Sequence, residues 1–85
     1  MEFHTLTPYS TKIVVDINGV SVYSPVIIGK KVTVYNYRTI TGIEINRGLF
    51  FSDITVRTIN QVLTFRFFKN EGSRFFNAVQ PNLNN

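Results

Sequence analysis

Hydrophobic and polar residues alternate along most of this 85-residue chain, with the two-residue period of half-buried β-strands. Six strand-like runs of this kind lie between Lys12 and Phe68, and a helical pattern follows near residues 70–80. All the strands therefore precede the helix, and this order argues against βαβ units. The pattern predicts a mainly β fold of six to seven strands, in which a bent antiparallel sheet or small barrel is capped by one C-terminal helix.

The strongest local signal is Asn18-Gly19, which separates the first two alternating runs. An Asn-Gly pair tolerates the positive φ angles of a type I′ turn, so we expect a two-residue hairpin loop there. Asp16 then lies outward, opposite Ser21. The resulting register pairs apolar residues across the hairpin: Ile17 with Val20, and Val15 with Val22.

A second hairpin is predicted between the runs 52–58 and 63–68. A four-residue loop at 59–62 keeps the apolar and polar faces separate, so we prefer it. Two further strands are expected between the hairpins, at 32–37 and 42–46. The predicted partners in the second hairpin are Val56 with Phe65 and Ile54 with Phe67 on the inner face, and Arg57 with Thr64 and Thr55 with Arg66 on the outer face.

The C-terminal helix presents Phe75, Phe76 and Val79 on one side, because they lie at positions i, i+1 and i+4. A helix this short is unstable by itself, so it must pack against the sheet. Asn70 is the predicted N-cap, and Ser73 is the alternative because the intervening glycine is a poor residue inside a helix. Residues 81–85 are predicted as a frayed tail, and residues 1–11 as an arm or an edge strand.

Several of these features occur together between Gly29 and Val79: a lysine-bearing strand, the stretch Tyr35-Asn36-Tyr37-Arg38-Thr39-Ile40-Thr41-Gly42-Ile43-Glu44, a Thr-rich hairpin with a Phe-rich second strand, and a helix containing Phe75-Phe76. In this combination the chain resembles bacterial pleckstrin-homology-like (PH-like) domains. The resemblance implies a split barrel of seven strands, with residues 3–9 available as the seventh strand. It also implies non-catalytic roles in protein contacts, self-assembly and sometimes membrane association.

Eukaryotic relatives of that family bind phosphoinositides through basic residues beside the first hairpin loop. The corresponding loop here, residues 16–19, carries no cation. The resemblance therefore does not imply lipid binding for this chain.

The amino-acid composition restricts the reactions and metal sites that this chain can support. The chain is short enough for a single domain, 1–85, and it has no cysteine, which removes disulfides, thiolate metal sites and cysteine nucleophiles. Its one histidine is His4, and its five carboxylates form no motif, so we expect no enzyme activity, no metal and no cofactor. We also expect a cytoplasmic protein without a membrane span, since no apolar run approaches about 20 residues. The carboxylates are Glu2, Asp16, Glu44, Asp53 and Glu71.

The net charge of +4 permits attraction to acidic partners. We expect a small interaction or self-assembly module that binds another protein or a second copy of itself. Two alternatives stay open: a nucleic-acid or nucleotide binder that uses a basic sheet face, and a small phage or mobile-element protein that inhibits a host factor. The candidate interface residues are Tyr35, Tyr37, Phe50 and Phe51, and the candidate basic residues are Lys30, Lys31, Arg57 and Arg66.

Overall fold

The computed structural model describes residues 1–6, 11–25 and 28–83. Within these ranges the chain forms seven antiparallel strands in two sheets and one α-helix, so the predicted mainly β architecture with a C-terminal helix is confirmed. Two short 3₁₀ turns lie at Tyr37–Thr39 and Gln80–Leu83. The elements are β1 Glu2–His4, β2 Lys12–Val15, β3 Gly19–Pro25, β4 Lys30–Asn36, β5 Ile40–Arg47, β6 Phe51–Thr58, β7 Val62–Phe68 and α1 Lys69–Val79.

Both sheets are simple meanders, with strand orders β1-β2-β3-β4 and β5-β6-β7. The strand predicted from residues 3–9 is β1, which begins one residue earlier and pairs with β2. Residues 7–9 of that prediction lie outside the described part of the chain. The two sheets meet beside β1, where the Leu6 amide donates a 2.6 Å hydrogen bond to the Arg66 carbonyl oxygen of β7.

The first hairpin differs from its prediction by a shift of two residues. Val15 pairs with Val20, so the loop contains four residues, and the predicted partners of Ile17 and Asp16 are wrong. Asp16 causes the shift: its Oδ1 accepts hydrogen bonds from the amides of Asn18 (2.8 Å) and Gly19 (3.1 Å), which closes an Asx turn without a positive φ at the glycine. Ile17 is left 91% exposed in the loop.

The second hairpin shows the same shift of two residues. Val56 pairs with Leu63, and the predicted register is therefore wrong. Thr58 closes the turn, because its amide donates to the Gln61 carbonyl oxygen (2.8 Å) and its Oγ1 accepts from the Gln61 amide (3.1 Å). A shift of two residues leaves every side chain on its predicted face, so Phe65 and Phe67 still point into the core.

The helix closes the space between the sheets with one fully buried ring, that of Phe75. Its centroid lies 5.4 Å from the Phe3 ring of β1, and 5.1 Å and 6.4 Å from the Phe67 and Phe65 rings of β7. Val79 is buried one turn later, so the predicted inner side of the helix is confirmed. The buried apolar core consists of Phe3, Ile13, Val15, Val20, Val22, Ile40, Ile54, Val56, Phe65, Phe67, Phe75 and Val79.

The helix begins directly after β7, at Lys69, and its N-cap position is Phe68 without a side-chain hydrogen bond. The predicted caps Asn70 and Ser73 are therefore wrong, because both residues lie inside the helix. At the other end, Gln80–Leu83 forms a 3₁₀ turn whose Leu83 packs against the core. The prediction of a frayed tail is thus wrong for residues 81–83, and residues 84–85 lie outside the described part.

Gly72, which the sequence indicates as an unfavourable residue inside a helix, is a buried residue of the helix interior. A Cβ at this position would lie 2.6 Å from the Cβ of Ser52 on β6. The Ser52 hydroxyl in turn donates to the Lys69 carbonyl oxygen (3.3 Å), which links β6 to the first residue of the helix. The absence of a side chain at Gly72 lets the helix approach the sheet closely enough for Phe75 to reach the core.

We expect Phe75→Ala to lower the free energy of unfolding by about 3–5 kcal/mol, because it leaves a cavity among three aromatic rings. Urea unfolding followed by circular dichroism measures the change. Phe68→Ala is the matched control, since the Phe68 side chain is largely exposed, and it should cost far less. Equal losses in the two variants would contradict the assigned role of Phe75.

A second prediction concerns the contact between α1 and β6. Gly72→Ala should destabilise the fold by about 1–3 kcal/mol, because the new methyl group overlaps Ser52. The same substitution should cost less in a Ser52→Gly background, where the opposing Cβ is gone. A double-mutant cycle measures this coupling, and strict additivity would show that the two positions do not collide.

Candidate functional site

Four large apolar side chains lie exposed at one end of the three-stranded sheet. Their exposed fractions range from 40% to 79%. The phenylalanine rings contact one another in a chain, with centroid distances of 6.5 Å for Phe50–Phe51 and 6.1 Å for Phe51–Phe68. Phe51 and Phe68 are direct cross-strand partners on β6 and β7. We call this set the aromatic surface; it consists of Leu49, Phe50, Phe51 and Phe68.

Two backbone hydrogen bonds fix the turn that carries part of the aromatic surface. The Gly48 amide donates to the Phe51 carbonyl oxygen (2.8 Å), which closes the turn between β5 and β6. The Lys69 amide donates to the Phe50 carbonyl oxygen (3.1 Å), which ties the same turn to the start of α1. Because both contacts are backbone hydrogen bonds, the turn presents its apolar side chains from a fixed position.

A small cavity of about 220 Å³ lies beside these rings. One wall is the ion pair between Arg66 and Asp53, whose guanidinium and carboxylate groups form two hydrogen bonds of 2.8 Å and 3.2 Å. The Arg66 guanidinium also lies 5.5 Å from the centroid of Phe51. The other lining residues are Asn46, Gly48, Leu49 and Phe50.

This ion pair changes the acidity of the carboxyl group. The hydrogen bond from Arg66 holds the pKa of Asp53 below its ordinary value, although partial burial opposes the effect. The pairing follows from the observed register, in which Arg66 lies opposite Asp53 rather than opposite Thr55. The sequence predicted Thr55 as the partner of Arg66, whereas the structure places the Asp53 carboxylate opposite this arginine.

The four candidate basic residues are divided between the two sheets. Arg57 and Arg66 lie on the outer face of the second sheet, and Arg57 is also paired, with Glu44 at 2.7 Å. Lys30 and Lys31 begin β4 of the first sheet. Among the described residues, the lysines and arginines without an ion-pair partner within 4.0 Å are Lys30, Lys31, Arg38, Arg47 and Lys69.

The two candidate tyrosines lie apart from the two candidate phenylalanines. Tyr35 and Tyr37 are half-buried and pack against the core. The Tyr35 hydroxyl accepts a hydrogen bond from Gln61 (3.0 Å), and the Tyr37 hydroxyl donates to the Asp16 carbonyl oxygen (2.5 Å). Burial, followed by the nearby Asp16 carboxylate, raises the pKa of Tyr37. Both tyrosines therefore connect distant parts of the fold, whereas Phe50 and Phe51 face solvent.

The candidate interface residues did not include Leu49 or Phe68. Phe68 could have been found, because Phe65 and Phe67 point inward and strand alternation then places Phe68 outside. Leu49 directly precedes Phe50 and Phe51, so the sequence already indicates an apolar patch at 49–51 in or near a loop. Lys69 could not be placed near the surface without knowing that α1 begins at this end of the sheet.

No known protein family, curated protein or solved structure matches this chain. The resemblance to PH-like domains accordingly stays a prediction. In the part of the chain that the structure describes, no helix is long and apolar enough to cross a membrane. The same residues contain no group of three or more histidine, aspartate or glutamate side chains that could hold a metal ion.

The pH dependence of the Asp53–Arg66 pair is testable. Arg66→Gln should raise the pKa of Asp53 toward the ordinary value, because it removes the charge-assisted hydrogen bond. Since the pKa of Asp53 is lower in the folded than in the unfolded state, its stabilising contribution is present above the unfolded-state pKa and is lost as pH falls through the folded-state pKa. Carboxyl NMR titration of Asp53 measures the shift. Arg74→Gln, which breaks a different ion pair, is the control and should leave the pKa of Asp53 unchanged.

Proposed function

We propose that this chain is a small, non-enzymatic module that binds a partner protein through the aromatic surface. The observation that carries the proposal is the contiguity of Leu49, Phe50, Phe51 and Phe68, all exposed at one end of one sheet. Single exposed apolar residues are common, but contiguous apolar patches mark interaction sites. Aromatic side chains in particular are enriched where proteins bind each other.

The charge beside the aromatic surface supports a partner with an acidic group there. Lys69 begins α1 beside Phe50, whereas Arg47 lies opposite the buried Ser52 and donates to the Ser73 hydroxyl on α1 (3.4 Å). Lys69 has no carboxylate within 4.0 Å among the described residues, and Arg66 is already neutralised by Asp53. A complementary partner would place apolar groups against the rings and a carboxylate toward Lys69.

The proposal includes a PH-like framework for this module. Its support is the arrangement of four strands, then three strands, then a helix whose Phe75 fills the space between the sheets. On this framework Leu49 and Phe50 lie in the turn between β5 and β6, which two backbone hydrogen bonds fix, and Phe51 and Phe68 lie at the adjoining ends of β6 and β7.

Affinity capture from the native host with matched variants tests the proposal. Wild-type protein and the Phe50→Ser/Phe68→Ser variant are compared with Ile59→Ser, which removes an exposed apolar side chain from the opposite end of β6. We expect a partner that wild type and Ile59→Ser retain and that the double variant loses. Calorimetric titration with the purified partner should then show an affinity loss of about 30-fold or more per phenylalanine, as for interface hot spots.

Two results would contradict this function. Equal partner binding by all three proteins would remove the aromatic surface from the interface. Salt-sensitive binding of single-stranded DNA or RNA that the phenylalanine variant loses would instead favour the nucleic-acid alternative, in which the rings stack on bases. Thermal unfolding of each variant verifies that the loss of binding is not a loss of fold.

A further inference from the structure

Strand β4 forms an open edge of the first sheet. Its inner neighbour is β3, and no other strand of the described chain pairs with its second side. It is seven residues long, and two of its outward side chains are the β-branched Val32 and Val34, which are 51% and 65% exposed. An exposed apolar edge strand presents free backbone groups and favours pairing with another strand.

We infer that β4 pairs in an antiparallel manner with β4 of a second copy of this chain, about a two-fold axis at Thr33. Thr33 is the midpoint of Lys30–Asn36, so this register matches the whole strand with its counterpart. It places Val32 of each copy opposite Val34 of the other, and aliphatic cross-strand contacts of this kind stabilise sheets. The interface would join two four-stranded sheets into one continuous sheet.

The charges on β4 favour the antiparallel over the parallel orientation of a second copy. Lys30 and Lys31 have no carboxylate within 4.0 Å among the residues described, so two strands placed side by side in parallel would juxtapose four cations. The antiparallel arrangement instead separates the two Lys30 backbones by about 20 Å, given a rise of about 3.4 Å per residue. That distance exceeds the screening length of about 8 Å in physiological salt.

The same register also gives each lysine a neutral partner. Lys31 lies opposite Tyr35 of the other copy, and Lys30 lies opposite Asn36. The fold already contains a cross-strand pair of this type: Lys12 on β2 lies opposite Tyr23 on β3, with its Nζ 4.6 Å from the ring centroid. A two-fold axis closer to Lys31 would place lysines opposite each other and would leave part of the strand unpaired.

This inference concerns a different sheet from the aromatic surface and does not rest on the proposed function. A dimer through β4 leaves Phe50 and Phe68 exposed on each copy. The module would then present two identical binding surfaces, and a partner with two matching sites would be held more tightly than by one copy alone.

Single-cysteine variants provide the test, because the chain contains no cysteine of its own. In the inferred register the two Thr33 Cα atoms lie about 4.5–5.5 Å apart, which is within disulfide range. Thr33→Cys should therefore form a covalent dimer rapidly on mild oxidation. Thr41→Cys, on the edge strand β5 of the other sheet, is the matched control and should remain mostly monomeric.

Light scattering and sedimentation of the untagged protein give the second measurement. Wild type should show a concentration-dependent dimer, and Val34→Lys should raise the dimer dissociation constant at least about tenfold, because each copy contributes one new charge to the interface. Val62→Lys, at an exposed position of β7, should dimerise like wild type. Thermal unfolding confirms that both variants remain folded.

Three outcomes would overturn the inference: a wild-type monomer at every attainable concentration, equal oxidation of Thr33→Cys and Thr41→Cys, or a dimer that Val34→Lys does not weaken. A dimer that survives Val34→Lys but is lost in Phe50→Ser/Phe68→Ser would assign self-association to the aromatic surface. The variants thus distinguish a failure of the β4 interface from a failure of the proposed partner-binding site.

Discussion

The packing of Phe75 between the sheets is the interaction on which the rest of the structure depends. Its ring contacts Phe3 of the first sheet and Phe65 and Phe67 of the second. Each sheet alone is a meander with one apolar face, and few described backbone hydrogen bonds connect them. The ring therefore contacts both sheets at once, and Gly72 permits this because no side chain separates the helix from β6.

The faces of the strands were predictable, whereas the register was not. Alternation alone places Val15, Val56 and Phe65 inside, and the structure agrees. Both hairpins differ from the prediction by two residues. This change moves Ile17 into the loop but leaves the residues that stay in the strands on their predicted faces, so hydrophobic patterning does not detect it. The side chains of Asp16 and Thr58 decide the register, because their hydrogen bonds close turns that compete with the loops favoured by composition.

The sequence predicted part of the candidate site. Phe50 and Phe51 were proposed as interface residues, and the structure places both in solvent. Tyr35 and Tyr37 were proposed with them, but tyrosine can bury its ring while its hydroxyl binds a distant group, and sequence does not distinguish these uses. Hydrophobic patterning predicted that Arg57 and Arg66 lie on the outer face. It did not predict the ion pair that neutralises Arg66, because that pair depends on the register that places Arg66 beside Asp53.

The contact between Phe3 and Phe75 joins the first strand to the last helix. During synthesis on the ribosome, the sheets emerge before α1, and their inner phenylalanines stay uncovered until Val79 has been extruded. Burial of the core therefore waits for the whole segment from Phe3 to Val79, and contacts so distant in sequence slow folding. Until that segment has emerged, the apolar faces of the sheets stay exposed, and chaperones or premature association compete with folding.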